Sequence, residues 1–154
     1  MDYLFLDIGD ILTIEDRTRE GNDFDEYKIK LLERILNSTN FNIIWISSWI
    51  RNNHNKVIEN YLEERGFKSF NRIVGVITAD QKYYNYTKDQ FDAIKINLIN
   101  EFISKNKIDS YLIIDSDQID DSKHCLAILD QKGINPLITI QIIKNYKNGF
   151  YKRS

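Results

Sequence analysis

The stretch that most constrains this chain is Tyr3-Leu4-Phe5-Leu6-Asp7-Ile8-Gly9-Asp10-Ile11-Leu12-Thr13. Residues of strand character run straight into an acidic turn that contains a glycine. A short apolar run bounded by a turn signal reads as a buried parallel strand. Open α/β sheets bind their ligands at the carboxyl ends of such strands, and Asp7 falls at that end. A carboxylate placed there can hold Mg²⁺ through oxygen, attack phosphorus, or do both.

The rest of the chain repeats a strand–helix alternation. Further strands are expected at Asn42–Ser47, Arg72–Ile77, Ser110–Ile114 and, after Pro136, at Leu137–Ile143. Helices are expected near 25–36, led by an Asp23/Glu26 capping box, at 53–65, closed by Gly66, and at 122–131, closed by Gly133. The clearest helix opens on a Thr87/Gln90 capping box. In it Phe91, Ile94, Leu98, Ile99, Phe102 and Ile103 recur at helical spacing. Lys95 sits near the middle of that apolar arc, where an ammonium is costly unless it meets an anion. Such an alternation predicts α/β architecture: a three-layer Rossmann-like sandwich around a five-stranded parallel sheet.

A length of 154 residues suits one domain over 1–154. With 42% apolar residues the chain is globular rather than disordered, and a net charge of −2 argues against a dedicated non-specific nucleic-acid binder. The lone Cys125 excludes an internal disulfide and fits a reducing, cytoplasmic compartment. No basic leader segment and no apolar run near 18 residues is present, so neither a signal peptide nor a membrane span is expected. No Gly-rich phosphate loop of the Walker or dinucleotide type occurs.

Four groups land at strand ends or on the core-facing stripe, in chain order Asp7, Ser47, Lys95 and Asp115. Asp7-Ile8-Gly9-Asp10-Ile11-Leu12 resembles motif I of the haloacid dehalogenase (HAD) superfamily, an apolar strand followed by Asp-x-Asp-(Gly or Asp)-x-Leu. The order of the four groups is that of HAD motifs I to IV. Ile46-Ser47-Ser48-Trp49 and Lys95-Ile-Asn-Leu98-Ile99-Asn-Glu-Phe102-Ile103 are similar to motifs II and III of small capless HAD domains associated with RNA-repair proteins, with Lys for Arg and Leu for Glu in motif III. The resemblance implies an Mg²⁺-dependent phosphatase that works through an aspartyl-phosphate. Asp7 would be nucleophile and metal ligand, Ser47 and Lys95 would serve catalysis and bind phosphate with Ser48, and Asp115 would hold the metal. The backbone carbonyl at Gly9 takes a ligand position, and Asp10, Asp117, Asp120 or Asp121 are candidates for a further acid. The polar stretch from Thr13 to Asn22 leaves room for a flap rather than a cap.

One position departs from the pattern. Gly9 stands where the family has its second Asp, the general acid/base, an assistance worth ~10²–10⁴ in rate. The sequence therefore also supports a catalytically impaired HAD-like domain that binds a phosphorylated ligand or partner. A third reading is a Toprim-like metal-dependent nuclease that pairs Asp115 with Asp117 and an upstream acid such as Glu15. For the substrate, an open site suits a nucleotide or a nucleic-acid end. Lys82, Tyr83, Tyr84, Tyr86 and Lys88 place tyrosines that can stack bases among lysines that can hold phosphates.

Overall fold

A computed structural model describes residues 1–13, 24–46, 55–77, 87–129 and 132–153. Its sheet is built on β1 (Asp2–Leu6), which pairs in parallel with β2 (Phe41–Ile46) on one side and β4 (Ser110–Asp115) on the other. Strand β3 (Ile73–Ile77) lies outside β2, and β5 (Cys125–Ala127) lies outside β4, giving the order β3-β2-β1-β4-β5 with every pair parallel. The chain builds outward from β1 to β3, then returns to lay β4 and β5 on the opposite flank. The order reverses between β1 and β4, which is where ligand crevices form in open parallel sheets.

Alternation along the strands sends side chains to two layers. Leu4 and Leu6 of β1, Ile43 and Trp45 of β2, and Leu112 and Ile114 of β4 face one core. That core is completed by α2 (Glu26–Ser38), through Leu32, Ile35 and Leu36, by α3 (Asn55–Glu64), through Ile58 and Leu62, and by Ile142 of α5 (Pro136–Lys147). Phe5, Ile44, Ile46 and Ile113 face the other core, closed by Ile99 and Ile103 of α4 (Lys88–Lys105). The expected three-layer, five-stranded parallel sandwich is therefore present.

Local signals explain most of the boundaries. Asp25 caps α2 by accepting from the Tyr27 N–H, so Asp25 rather than Asp23 is the N-cap. The Thr87/Gln90 capping box forms at α4 as its sequence predicts. Gly66 follows α3 with φ +92°, the left-handed turn that glycine adopts without a steric penalty.

Two expectations fail, and together they relocate the last strand. Leu137–Ile143 is not a strand but the body of α5. Asn135 caps that helix through the Ile138 N–H, Pro136 occupies its first turn, and Thr139 and Ile142 are its buried positions. Capping and burial at helical spacing outweigh the β-branched composition of the segment. The expected helix over 122–131 is replaced among the described residues by a turn and β5. Ile113 donates its N–H to the His124 carbonyl and Ile128 donates to the Asp115 carbonyl, so the segment pairs along β4. The C-terminal segment is also pinned: Lys152 bridges antiparallel to Ser110, and the Arg153 N–H donates to the Asp109 carbonyl at 2.6 Å. Its basic residues thus lie by the amino ends of the strands, away from the ligand-binding ends.

No helix among the described residues is long and apolar enough to cross a membrane.

Candidate active site at the strand reversal

Asp7 follows β1 directly and donates its N–H to the Ile114 carbonyl at 3.0 Å, which ties the end of β1 to the end of β4. Asp115 is the last residue of β4 and is fully buried. The two carboxylates therefore emerge side by side where the strand order reverses. Lys95 meets them from above. On α4, Phe91, Lys95, Ile99 and Ile103 form one buried ladder at four-residue spacing, so the helix aims the lysine at the sheet as it aims its apolar neighbours. Its Nζ donates to Asp7 Oδ2 at 3.0 Å and to Asp115 Oδ2 at 2.8 Å, and lies 5.5 Å from the centre of the Phe91 ring.

A third carboxylate completes the surroundings of Lys95. Asp92 Oδ1 stands 3.8 Å from Nζ, one helical turn earlier on α4. The motif resemblance passes over Asp92, although its spacing of three from Lys95 places the two on one helix face. The remaining oxygen of Asp115, Oδ1, accepts the Asp117 N–H at 3.0 Å, and the carbonyl of Asp120 accepts from the Gln118 side chain. Among the described residues no three His, Cys, Asp or Glu side chains gather as a metal cluster, so Asp117 and Asp120 join Asp115 in a turn without forming such a group with it.

The charges are unevenly matched. Burial pulls the Lys95 pKa down, but Asp7 and Asp115 more than offset it, and the ammonium stays charged with its pKa above the usual lysine value. Burial pushes the Asp115 carboxyl up to about 7; the charge of Asp7 adds to this and Lys95 opposes it. One buried cation is shared among several acids, an arrangement that favours binding of a further cation.

Short-range contacts hold the turn after Asp7. Gly9 and Asp10 open α1 (Gly9–Leu12), a helix of a single turn. Three carbonyls at its end are taken: Ile11 accepts from the Ile134 N–H, Leu12 from the Asp25 N–H, and Thr13 from the buried Lys28 Nζ at 2.5 Å. Thr13 and Phe24 form an antiparallel bridge, so the ten residues between them leave and return at one place. The stretch expected to form a flap, with residues 14–23 and Glu15 among them, lies outside the described part. Ser47 and Ser48 come next after Ile46, and they too lie outside it, as do Lys82, Tyr83, Tyr84 and Tyr86. Lys88 is the first residue of α4, with its side chain not described.

His124 and Cys125, expected at the start of a helix, flank the beginning of β5 instead. The His124 ring stacks on Tyr111 at 4.2 Å and bonds the Tyr111 carbonyl through Nδ1 at 2.9 Å.

Comparison of the chain with curated proteins and with solved structures returned no match. A family model described as the HAD domain in Swiss Army Knife RNA repair proteins matches residues 3–134, which includes the five strands but for Asp2, and Asp7, Lys95 and Asp115. With that match across most of its length, the chain belongs to this RNA-repair-associated HAD family and carries its hydrolase fold.

Proposed function

We propose that the protein is an Mg²⁺-dependent phosphatase that acts on a phosphate monoester through an aspartyl-phosphate on Asp7. The observation that carries this reading is the convergence of Asp7 and Asp115 on Lys95 at 3.0 and 2.8 Å, at the reversal of strand order. Family membership agrees with it.

The donor set fits the metal. Mg²⁺ takes one or two protein carboxylates and leaves its other positions to water and phosphate oxygens, and Asp7 and Asp115 supply two carboxylates at adjacent strand ends, joined through Lys95. The Gly9 carbonyl is a further candidate ligand. Bound there, the ion would neutralise phosphate charge and orient the phosphoryl group. Asp7 provides the attacking oxygen. Lys95, charged and fixed, lowers the repulsion between that carboxylate and the phosphoryl oxygens. Asp115 holds Lys95 in place and is itself braced by the Asp117 N–H. Ser47 and Ser48 would donate hydrogen bonds to the phosphoryl group from the end of β2.

The ten residues from 14 to 23 are too few for a cap domain, and an uncapped site would suit a nucleotide or a phosphorylated nucleic-acid end. The RNA-repair association of the family points the same way, and the tyrosines and lysines of 82–88 would hold such a strand. The reading takes 1–154 as one cytoplasmic unit. The second reading, a phosphate-binding domain without turnover, is favoured by one observation, Gly9 at the position of the family's acid/base. The pairing of Asp115 with Asp7 through Lys95 speaks for this site over a Toprim-like Asp115/Asp117 pair.

The test is phosphate release, with Mg²⁺ or with chelator, from nucleotides and from 5′- and 3′-phosphorylated oligonucleotides. Release that needs Mg²⁺ and disappears in Asp7→Asn is expected. Binding of those phosphates without release would favour the second reading.

A further inference from the structure

We propose that Asp92 is a catalytic residue of this site, the group that gives a proton to the leaving oxygen and then takes one from the hydrolytic water. The inference rests on the phosphatase reading above.

Expelling an alcohol from phosphorus requires a proton for its oxygen, and hydrolysing the resulting acyl phosphate requires a water that loses one. Four described groups meet at the Lys95 ammonium or supply it, and three of them are committed elsewhere. Asp7 is bonded to phosphorus during the step. Lys95 is committed to Asp7 and Asp115, to both of which its ammonium donates. Asp115 is fully buried with both oxygens engaged, Oδ2 by Lys95 and Oδ1 by the Asp117 N–H. Position 9 has no side chain. Asp92 is the fourth, and it differs from Asp115 in exposure. It contacts the same ammonium as Asp7, at the longer distance of 3.8 Å, and its side chain is 19% exposed where that of Asp115 is 0%. It is therefore the more exposed of these two partners of Lys95, one ammonium away from the nucleophile, on a helix fixed by its capping box and its buried ladder.

The steps balance. Asp7 forms a bond to phosphorus while the bond from phosphorus to the substrate oxygen breaks, and that oxygen leaves with the proton of the Asp92 carboxylic acid. Water then attacks the phosphorus of the acyl phosphate, and the Asp92 carboxylate takes its proton. The bond to Asp7 breaks with its electron pair returning to the carboxylate, and inorganic phosphate departs.

The experiment compares the full chain with Asp92→Asn, Asp92→Glu, Asp10→Asn and the double variant Gly9→Asp/Asp92→Asn, in Mg²⁺. The probes are p-nitrophenyl phosphate, whose leaving group needs no proton, and a 5′-phosphorylated oligonucleotide, whose leaving group does. Asp92→Asn is expected to release one equivalent of nitrophenol in a burst and then stall, with turnover lowered ~10²–10⁴-fold and phosphoenzyme accumulating on Asp7. With the oligonucleotide it should show no burst. Asp92→Glu should retain part of the turnover, and Gly9→Asp in the Asp92→Asn background should restore it. Turnover of Asp92→Asn within a few-fold of the parent overturns the proposal. So does loss of the nitrophenol burst without rescue by Gly9→Asp, since Asp92 would then only support Lys95. A trapped phosphoenzyme in Asp10→Asn and not in Asp92→Asn also overturns it and reassigns the role. A parent that releases no phosphate and forms no phosphoenzyme overturns the phosphatase reading itself, and the role of Asp92 with it.

Discussion

The two ends of the sheet carry charge in opposite ways. At the carboxyl ends Lys95, 3% exposed, is shared by Asp7, Asp92 and Asp115. At the amino ends Lys107, Asp109, Lys152 and Arg153 line a hollow of about 710 Å³ and are exposed to water. There the pinning is done by backbone groups, with Tyr111 donating to the Tyr151 carbonyl and Arg153 to that of Asp109, and by Tyr146, whose hydroxyl donates to Asp2. The difference teaches where stability has been given up. A solvated charge costs little and contributes little. Buried acids crowded on one ammonium have no purely structural justification, because apolar residues would pack the same space at lower cost. The proposed function accounts for them by a ligand that brings positive charge.

The largest expected effect lies at the carboxyl ends. Lys95→Met leaves Asp7 and Asp115 buried without their cation, and should cost about 3–5 kcal/mol in urea unfolding. A cost no greater than that of a surface substitution would erase the contrast.

The next effect is a pH dependence. The Asp115 carboxyl is raised to about 7 in the folded chain, against about 4 unfolded. A group whose pKa is raised by folding binds its proton more tightly in the folded state. Its contribution is therefore complete below about pH 4 and is lost as pH rises towards 7. In metal-free buffer the stability of the parent, measured relative to Asp115→Asn, should fall across that window by at most about 1.4 kcal/mol per pH unit. A flat difference would mean that Asp115 is ionised throughout.

At the amino ends the effects should be smaller. Tyr146→Phe removes the hydrogen bonds of its hydroxyl to Asp2 and from the Asn40 N–H, and should cost about 1 kcal/mol. Arg153→Ala and Lys152→Ala should stay within about 0.5 kcal/mol, since their side chains are exposed and their backbone bonds survive the change. A large loss in either would show that the amino ends also rely on side-chain charge.

How much of this was legible in the sequence follows from how local each signal is. The run into Asp7, the capping box at Thr87 and the place of Lys95 on the apolar arc are contained in single elements, and each appears where its residues predict. β5 was not legible, because three residues, Cys125 to Ala127, carry no periodicity and owe their conformation to β4. Ile138 to Ile143 misled for the converse reason. Its β-branched residues favour a strand, and only the Asn135 cap, Pro136 and the packing of Ile142 against the sheet decide for a helix. Asp92 was missed because a motif records the lysine and not the acid three residues before it, although the spacing itself was on view. The basic composition of the tail does not show which end of the sheet it meets; its bridge to Ser110 depends on tertiary structure and puts it at the amino ends of the strands.

The central claim is that the acids at the carboxyl ends are there to take a divalent cation. The most direct test is the thermal midpoint of the full chain at pH 7.5 as Mg²⁺ is added, in the parent, Asp7→Asn, Asp115→Asn and Arg153→Ala. A ligand at about 100 times its dissociation constant stabilises by about 2.7 kcal/mol, which at about 2–4 °C per kcal/mol raises the midpoint of a domain this size by about 5–11 °C. The account predicts that rise in the parent and in Arg153→Ala, and its loss in Asp7→Asn and Asp115→Asn. A midpoint indifferent to Mg²⁺ in the parent, or a rise that survives in Asp115→Asn, would contradict it.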